Sequence, residues 1–259
     1  MLRRCVVLFT VAVALIGQAM LAGEGDLVAV SLASPREQYL LGEPVLLDIS
    51  IRNSSAGPFK AFLIPDDYIQ VFVGPEGTSR GLINPSGADN KLALTPATLE
   101  PKETWSHHLR VIHNVRSDSQ GRMIYELALP KPGNYAINIS LPLMLADPGG
   151  VETKDTNRYY KSNVIRIRVK MPVGDDAKIY EAIKDGDSGH FLRTGRPLTG
   201  SGLDHATALK MARLLRKYPR TGYRYAMRHA LLEFARFSQG GLKQEDQELI
   251  DRVLGEGPG

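Results

Sequence analysis

His107, His108 and His113 lie close together in a stretch whose apolar residues alternate as in a β-strand. Histidine is a frequent metal ligand and general base, so a cluster of three is the first candidate for chemistry. On a straight strand His107 and His113 would share a face, but their rings would stand roughly 20 Å apart, too far to bind one ion. The spacing therefore predicts surface or edge histidines rather than a site.

Two further groups of polar residues fall short of a catalytic or metal-binding pattern. The stretch Lys184–Gly189 is similar to the start of a calcium-binding loop, but it lacks the later oxygen ligands and the closing Glu, so it is predicted as a turn that ends a helix. Asp66 and Asp67 follow Pro65 and are predicted to form a turn. The sequence has no nucleophile elbow, zinc-binding or nucleotide-binding motif. We therefore predict that the protein is not an enzyme and has no catalytic residue, metal or cofactor.

The N-terminal segment has the composition of an export signal. Arg3 and Arg4 precede an apolar run from Val6 to Ile16, which small residues follow. We predict a signal peptide over residues 1–22, and hence an exported protein of the periplasm, the cell envelope or the extracellular space. An uncleaved membrane anchor is the alternative, because the segment just reaches the ~20 residues that a spanning helix needs. The polar Gln18 favours cleavage.

Cysteine content and charge limit the possible functions. The single cysteine, Cys5, lies within the predicted signal, so the mature chain would have no disulfide, thiolate nucleophile or cysteine metal ligand. The chain carries a formal net charge of +4, and loss of Arg3 and Arg4 with the signal leaves +2. A charge this close to neutral argues against a general affinity for nucleic acid.

From about Leu27 to Lys170 the apolar residues alternate with polar ones. The alternation is strict in Val45–Arg52, Tyr135–Leu141 and Ile165–Lys170, which predicts half-buried strands of an antiparallel sheet. Weaker alternation predicts four further strands, at Leu27–Ala33, Tyr68–Val73, Thr104–His113 and Arg122–Leu129. Many short strands separated by turns rich in Gly, Pro and Asn are typical of a sandwich or barrel.

Four stretches resemble exported bacterial immunoglobulin-like domains, and the resemblance covers about residues 27–170. Tyr39–Asn53 is similar to the entry of their strand B, and Leu99–Leu109 to a strand in the middle of the domain. Leu129–Leu141 contains the Pro-Gly-x-Tyr of strand F, and Lys161–Val169 resembles the closing strand G.

This resemblance implies an all-β immunoglobulin-like sandwich over residues 23–172. Gly133 followed by Tyr135 implies a tyrosine corner, in which the Tyr hydroxyl bonds to the backbone at the edge of the sheet. The cysteine pair and the strand-C tryptophan of antibody domains are missing. Because unrelated proteins share this fold, the resemblance predicts no particular activity.

A long irregular stretch within the predicted sandwich runs from Leu143 to Lys161 and ends in Arg158, Tyr159 and Tyr160. Loops at the end of a sandwich often bind ligands, and Tyr and Arg are enriched among the residues that dominate binding energy. We therefore predict Arg158, Tyr159 and Tyr160 as binding residues. In the alternative, the two tyrosines only begin the last strand, with one ring buried.

The C-terminal part changes period, because from Asp175 onward apolar residues recur every three to four positions. This predicts a small α-helical domain over residues 173–259. Asp175 or Asp176 is predicted to cap a short first helix that reaches Lys184 and is ended by Gly186, and a loop over Asp187–Gly202 follows. Three further helices are predicted, with starts at Asp204, Thr221 and about Gln244.

Two properties of the helical part suggest partners. The joint from Leu215 to Ala235 resembles that between helices of tetratricopeptide-type repeats, which bind peptides in a groove; an unrelated helical bundle is the alternative. Within 203–239, only Asp204 and Glu233 oppose eight basic residues: Lys210, Arg213, Arg216, Lys217, Arg220, Arg224, Arg228 and Arg236. Such a segment can contact an anionic envelope polymer, a membrane surface or an acidic partner. In the alternative, it is a solvated face whose charge the acidic last helix offsets.

The leading hypothesis is an exported, non-enzymatic binding protein of the cell envelope, whose partner is a protein or an envelope polymer. Nucleic acid is not expected as a partner, and a membrane is expected only through an uncleaved signal or a weak basic contact. One alternative is an inhibitor or chaperone-like accessory protein of an exported enzyme. A second is an enzyme subunit whose β-domain is accessory, which predicts a polar pocket near His190, Arg193 and Arg196.

Overall fold

A computed structural model describes residues 28–63, 69–85, 95–146, 158–196, 205–237 and 242–255. Within these ranges thirteen strands precede five helices, which confirms the predicted order of a strand-rich part and a helical part. The last strand ends at Lys170 and the first helix begins at Asp175, so the change falls where the period of the sequence changes. The predicted signal over 1–22 and the pair Asp66–Asp67 lie outside the described residues.

The strands are short except for the eleventh. Their bounds are β1 Val28–Ala33, β2 Gln38–Leu40, β3 Val45–Asn53, β4 Phe59–Leu63, β5 Gln70–Pro75, β6 Gly81–Ile83, β7 Thr95–Leu99, β8 Thr104–Val111, β9 His113–Ser117, β10 Met123–Leu127, β11 Gly133–Ala146, β12 Arg158–Lys161 and β13 Ile165–Lys170. All the strongly alternating stretches of the sequence are strands here. The structure adds β2, β4, β6 and β7, which the sequence did not predict. It also adds β9, which overlaps the predicted strand over 104–113 only at His113, and β12, which only the alternative interpretation of Tyr159 and Tyr160 expected.

The strands form a three-stranded sheet, a two-stranded hairpin and a larger eight-stranded sheet. The first has the order β1-β3-β8, the hairpin joins β9 to β10, and the path of the third is β2-β13-β11-β4-β7. The long strand β11 organises the large sheet, because β13 and β12 pair along one of its edges while β5 and β4 pair along the other. β6 extends this sheet beyond β5.

One hydrophobic core joins the three-stranded sheet to the large sheet. From β3 it takes Val45, Leu47, Ile49 and Ile51, and from β11 it takes Tyr135, Ile137, Ile139 and Leu141. The alternate residues of β3 are less buried, as expected of a strand with one face toward the core. Each such aliphatic side chain contributes roughly 1.5–3 kcal/mol when it is withdrawn from water.

The predicted tyrosine corner is present as a hydrogen bond. The hydroxyl of Tyr135 donates to the backbone carbonyl of Lys131 at 2.8 Å. This hydrogen bond connects the turn at Lys131, before β11, to Tyr135, the first buried aromatic residue of that strand.

The helices are α1 Asp175–Ile183, α2 Gly186–Thr194, α3 Ala206–Lys217, α4 Arg224–Phe237 and α5 Gln244–Gly255. They share a second core, which includes Ile179, Phe191, Met211, Met227 and Ile250. The two cores have no buried residue in common, but the partly buried Leu127 and Tyr180 pack against both. The two parts therefore have separate cores with a common border. Of the helices in the described ranges, none is both long and apolar enough to cross a membrane.

Several predicted helix boundaries are wrong. Gly186 does not end α1 but begins α2, and α2 occupies half of the predicted loop. Asp185 makes this possible, because its side chain accepts a hydrogen bond from the Ser188 N–H at 2.8 Å and caps the helix. Likewise the residue before α1 is Gly174, and no side chain caps that helix. Asp204, the predicted start of α3, lies outside the described ranges.

Hydrogen bonds bind the helices to the strand part. The Tyr223 hydroxyl, at the start of α4, donates to the carbonyl of Leu41, and burial raises its pKa. On the other side, the Arg110 guanidinium of β8 donates to the carbonyl of Arg193 at the end of α2, at 2.9 Å. The position of the helical part is thus fixed by specific bonds from two different strand-part segments.

Candidate functional site

The side of the large sheet that faces away from the core is the candidate site. In an antiparallel pair, residues opposite one another point to the same side of the sheet. The inward set includes Val71, Ile83, Ile139 and Tyr160, all of them core members. We call the outward set on the same strands the outer face: Gln70, Phe72, Leu82, Asn138, Ser140, Pro142, Tyr159 and Lys161.

Apolar side chains cross the outer face as a band. Leu82 of β6 is paired with Phe72 of β5, and Phe72 with Asn138 of β11; further along β11, Pro142 is paired with Tyr159. Leu82 is 57% exposed and Tyr159 is 52% exposed. From the spacing of strands and residues, the band from Leu82 to Tyr159 is roughly 20 Å long. The solvent side of a sheet normally carries polar residues, so this band departs from the usual pattern.

Small polar residues of β11 lie between the apolar ends of the band. Asn138 and Ser140 are buried although they point away from the core, with 8% of Asn138 exposed. The Oδ1 atom of Asn138 finds no hydrogen-bond donor among the described residues. An unsatisfied buried acceptor costs about 1–3 kcal/mol, so a ligand donor that reached this oxygen would recover free energy.

Cationic side chains border the band on the side of β12 and β13. Lys161 is exposed and paired in register with Ser140. Arg166 of β13 is paired in register with Ala136, and its Nε donates to a carboxylate oxygen of Glu76 at 2.7 Å. The outer face thus presents apolar, amide and ammonium groups. These groups can bind a ligand through packing and hydrogen bonds.

The structure divides the three predicted binding residues. Tyr159 belongs to the outer face, whereas Tyr160 is buried in the core opposite Leu141. For Arg158 only the backbone is described, and it pairs with Leu143. The two rings therefore have different environments, as the alternative interpretation of a strand with one ring buried expected. Their role in binding stays a prediction, and only Tyr159 can be tested without disturbing the core.

Phe72, Leu82 and Asn138 are members of the site that the sequence did not predict. A signal for Phe72 was present, because Ile69, Val71 and Val73 alternate to one side and leave a phenylalanine on the polar side. Leu82 carried no such signal, since β6 has only three residues and too few for a pattern.

The histidines do not form a site, but the prediction for His113 is wrong. His113 is buried, packs edge to face against Tyr125 at 5.8 Å, and lies against Gly189 of α2. The straight strand assumed for 104–113 is in fact two strands, because β8 ends at Val111 and β9 begins at His113. His107 and His108 fit the surface prediction: the first stacks on Trp105 at 5.3 Å and the second bonds to Asp48 at 2.7 Å.

A buried and a half-buried histidine, His113 and His190, predict acid lability. Burial and the charge of Arg193 lower the pKa of His113 and of His190 from 6.5 to about 4. The unfolded chain therefore binds more protons than the folded protein between these values, so stability is complete above pH 6.5 and falls as the pH drops toward 4. We expect a loss of up to about 1.4 kcal/mol per pH unit for the buried His113, and a smaller loss for the half-buried His190, whose charge solvent screens.

Urea unfolding at several pH values measures this loss. His113→Gln should reduce the slope of stability against pH by up to about 1.4 kcal/mol per pH unit, because one titrating group with a lowered pKa is removed. An unchanged slope in this variant would contradict the assignment.

Two cavities lie near the border of the two parts. The smaller, of about 10 Å³, is lined by Tyr39, Glu43 and Ile112 among others and is about the size of one water molecule. The larger, of about 290 Å³, is lined by Val173, Asp175, Asp176 and the 217–221 turn. Neither is lined by His190, Arg193 or Arg196, where the enzyme hypothesis predicted a pocket. In the part of the chain that the structure describes, no three His, Cys, Asp or Glu side chains are grouped to hold a metal.

Comparison with known proteins gives only remote similarities. No protein-family model matches the chain, and no curated protein is significantly similar to it in sequence. Among solved structures, a β-glucosidase from Listeria innocua has 14% identity and a TM-score of 0.28, over 55% of this chain and 16% of that enzyme. The CARDB domain of a Pyrococcus furiosus protein, in complex with di-metal ions, has 14% identity and a TM-score of 0.25, over 55% of this chain and 91% of the domain.

A third similarity is to the alkylpurine DNA glycosylase of Pseudomonas fluorescens bound to DNA with an abasic site analog. It has 10% identity and a TM-score of 0.29, over 57% of this chain and 31% of the glycosylase. This chain spans less than a third of either enzyme, and scores this low carry no argument about function.

Proposed function

We propose that this protein is an exported, non-enzymatic binding protein of the cell envelope, which binds a protein or an envelope polymer through its outer face. The observation that carries the proposal is the exposure of Leu82 and Tyr159, at the two ends of one band, on the solvent side of the large sheet. Export rests on the N-terminal sequence alone, with its basic start and apolar run.

An immunoglobulin-like fold for the strand part belongs to the same proposal. Two features support it: the sheets that contain β3 and β11 share one core, and Tyr135 bonds back to Lys131 as a tyrosine corner does. In such folds the outward side of a sheet is a rigid platform, because the inward residues of the same strands are fixed by the core.

The composition of the outer face suits binding by packing rather than by charge. Single exposed apolar residues are ordinary, but several apolar residues with aromatic members on one side of a sheet are a mark of interaction surfaces. Tyrosine is enriched among the residues that dominate binding energy, because it combines a large apolar ring with a hydroxyl. Tyr159 is therefore expected to be the principal contact, with Leu82 and Phe72 at the other end of the band.

The expected result is that Leu82→Ala with Tyr159→Ala weakens binding of the natural partner by at least about 30-fold, the effect of losing one dominant contact. Residues 23–259, which contain every described strand and helix, serve as bait for envelope extracts. The captured component is then purified and its Kd is measured for the parent and the variant.

The matched control is Tyr225→Ala with Leu232→Ala, which removes the same two residue types from exposed positions of α4. Circular dichroism and urea unfolding confirm that both variants are folded. Equal loss of affinity in the two variants, or an unchanged Kd in the Leu82/Tyr159 variant, would exclude the outer face as the binding site.

A further inference from the structure

Four basic residues form an exposed stripe along α3 and the turn after it. Arg213, Arg216 and Lys217 are spaced so that they share one face of the helix, and Arg220 follows in the next turn. All four side chains are exposed, whereas Met211, Ala212 and Leu215 on the opposite face are buried. We call Arg213, Arg216, Lys217 and Arg220 the cationic stripe.

The cationic stripe differs from the other basic residues of this segment in its partners. Lys210 bonds to Asp185, Arg236 bonds to Glu233, and Arg228 donates to the carbonyls of Val253 and Leu254. Among the residues that the structure describes, no member of the cationic stripe is part of an ion pair.

The acidic helix α5 does not neutralise the cationic stripe. α5 packs against α3, yet Glu248 and Asp251 accept hydrogen bonds from Gln244 and Gln247 of α5 itself. In the described ranges, no ion pair joins the two helices. The interpretation that the last helix offsets this charge therefore has no contact to support it.

Exposed apolar side chains adjoin the end of the cationic stripe. Val173, which is 74% exposed, lines the 290 Å³ cavity together with Lys217 and Arg220. Met171, on the same connecting segment, is 60% exposed. The ring of Tyr218 forms part of the same wall, with the Lys217 Nζ 5.2 Å from its centroid.

The two carboxylates near the cavity already have hydrogen-bond or ion-pair partners. Asp175 forms an ion pair with Lys178 at 2.8 Å. Asp176 accepts hydrogen bonds from the Thr221 hydroxyl at 2.6 Å and from the Gly222 N–H at 2.9 Å. Lys178 thus offsets the charge of Asp175, whereas the neutral donors to Asp176 hold its carboxylate in place without removing its charge.

We propose that the cationic stripe, with Val173 and Met171, docks the protein on an anionic phospholipid surface. A soluble polyanion could neutralise the four charges, but it would leave the exposed aliphatic side chains in water. The membrane interface accepts both, since its headgroups attract cations while its acyl boundary buries apolar side chains. The inference is independent of the outer face, because the two surfaces have no residue in common.

The test is co-sedimentation of residues 23–259 with two kinds of vesicle. One is phosphatidylcholine alone and the other contains phosphatidylglycerol as well. We expect binding only to the anionic vesicles, weaker at high salt because surface charges are screened. Changing all four stripe residues to Gln should weaken binding by about a hundredfold or more. Val173→Asn should weaken it by about tenfold through lost apolar burial.

The matched control neutralises four exposed basic residues of the strand part: Arg52, Arg80, Lys102 and Lys131, each changed to Gln. It has the same net charge as the stripe variant, so equal loss in both would mean that net charge alone drives binding. The proposal is overturned by that result, by equal binding to neutral vesicles, or by binding to soluble polyphosphate without binding to anionic vesicles. Circular dichroism of each variant separates lost binding from lost folding.

Discussion

Gly189→Ala is expected to destabilise the protein by about 2 kcal/mol and to displace α2 from the strand part. A Cβ atom at this position would lie 1.9 Å from the Cε1 of His113 and 2.6 Å from its Nε2. His113 is itself buried against Tyr125, so its ring has no free space to enter. Alanine gains up to about 1 kcal/mol in helix propensity, but overlap in a packed interior costs up to 3 kcal/mol or more, so the clash dominates.

A second substitution isolates the contact. In the double variant Gly189→Ala with His113→Ala, the new methyl group occupies space that the ring has left, so the two losses should not add. The double-mutant cycle in urea should give a coupling of at least about 1 kcal/mol. Hydrogen exchange of the α2 amides shows whether this helix is the part that loosens.

Gly186→Ala is the matched control, because it lies in the same helix and a Cβ there would only touch Tyr125 at 3.5 Å. It should change stability by less than about 1 kcal/mol. A Gly189→Ala protein that is as stable as this control would show that α2 is not held against His113.

This contact also explains why α2 could not be predicted from the sequence. Gly186 and Gly189 resemble loop residues when only local propensity is considered, and the stretch was predicted as a turn and a loop. Gly189 is required by the approach of a residue far away in the sequence, and only the fold brings them together. The burial of His113 could not be predicted for the same reason. It depends on the end of β8 at Val111 and on the packing of α2 against this histidine.

The strands that the sequence predicted share one property. β3 and β13 each bury one side along several residues, so their alternation is long enough to recognise. In β11, residues 135–141 are buried on both sides, but large apolar residues still alternate with small or polar ones from Tyr135 to Leu141. The missed strands are three to five residues long, and pairing with other strands rather than local pattern makes them strands. The end of the strand part at Lys170 was equally easy to recognise. Apolar residues recur every two positions before it and every three to four positions after it, as strands and helices require.

The candidate site was predicted in part, because alternation along a strand also determines which side chains are exposed. Alternation requires that Tyr159 and Tyr160 face opposite sides, so one of two neighbouring rings had to be exposed. Which other residues share the side of Tyr159 depends on the register between strands, and register is a property of the pairing. Phe72 and Asn138 join the outer face through the pairing of β5 with β11, which the sequence alone does not define.

The second large effect is expected from the buried ion pair between Arg36 and Glu43. The Glu43 side chain is 1% exposed, and it accepts hydrogen bonds from the Arg36 guanidinium and from the Leu40 N–H at 3.0 Å. Arg36 also lies over the ring of Tyr39, with 4.4 Å between its Cζ and the ring centroid, and 5.9 Å from that of Tyr225 on α4. The guanidinium thus connects a buried carboxylate to both parts of the molecule.

Arg36→Met is expected to destabilise the protein by about 3 kcal/mol at pH 7. The substitution keeps an apolar stem but leaves the Glu43 carboxylate buried without a cation, which costs roughly 3–5 kcal/mol in a buried pair. The lower end of this range applies because Arg36 is partly exposed. Arg36→Met with Glu43→Gln should recover most of the loss, since removing both charges of a buried pair is often nearly neutral.

The pH dependence separates this explanation from a simple loss of packing. Burial already raises the pKa of the Glu43 carboxyl, and the Leu40 N–H and Arg36 oppose that rise. Without Arg36 the pKa rises further, so the folded variant binds a proton at a pH where the unfolded chain does not. The deficit relative to the parent must therefore shrink as the pH falls, because protonation removes the uncompensated charge. The histidines titrate in both proteins, so their contribution cancels in the difference of unfolding free energy between parent and variant. If this difference is constant from pH 7 to 5, Arg36 stabilises the protein by packing on Tyr39 and not by its charge.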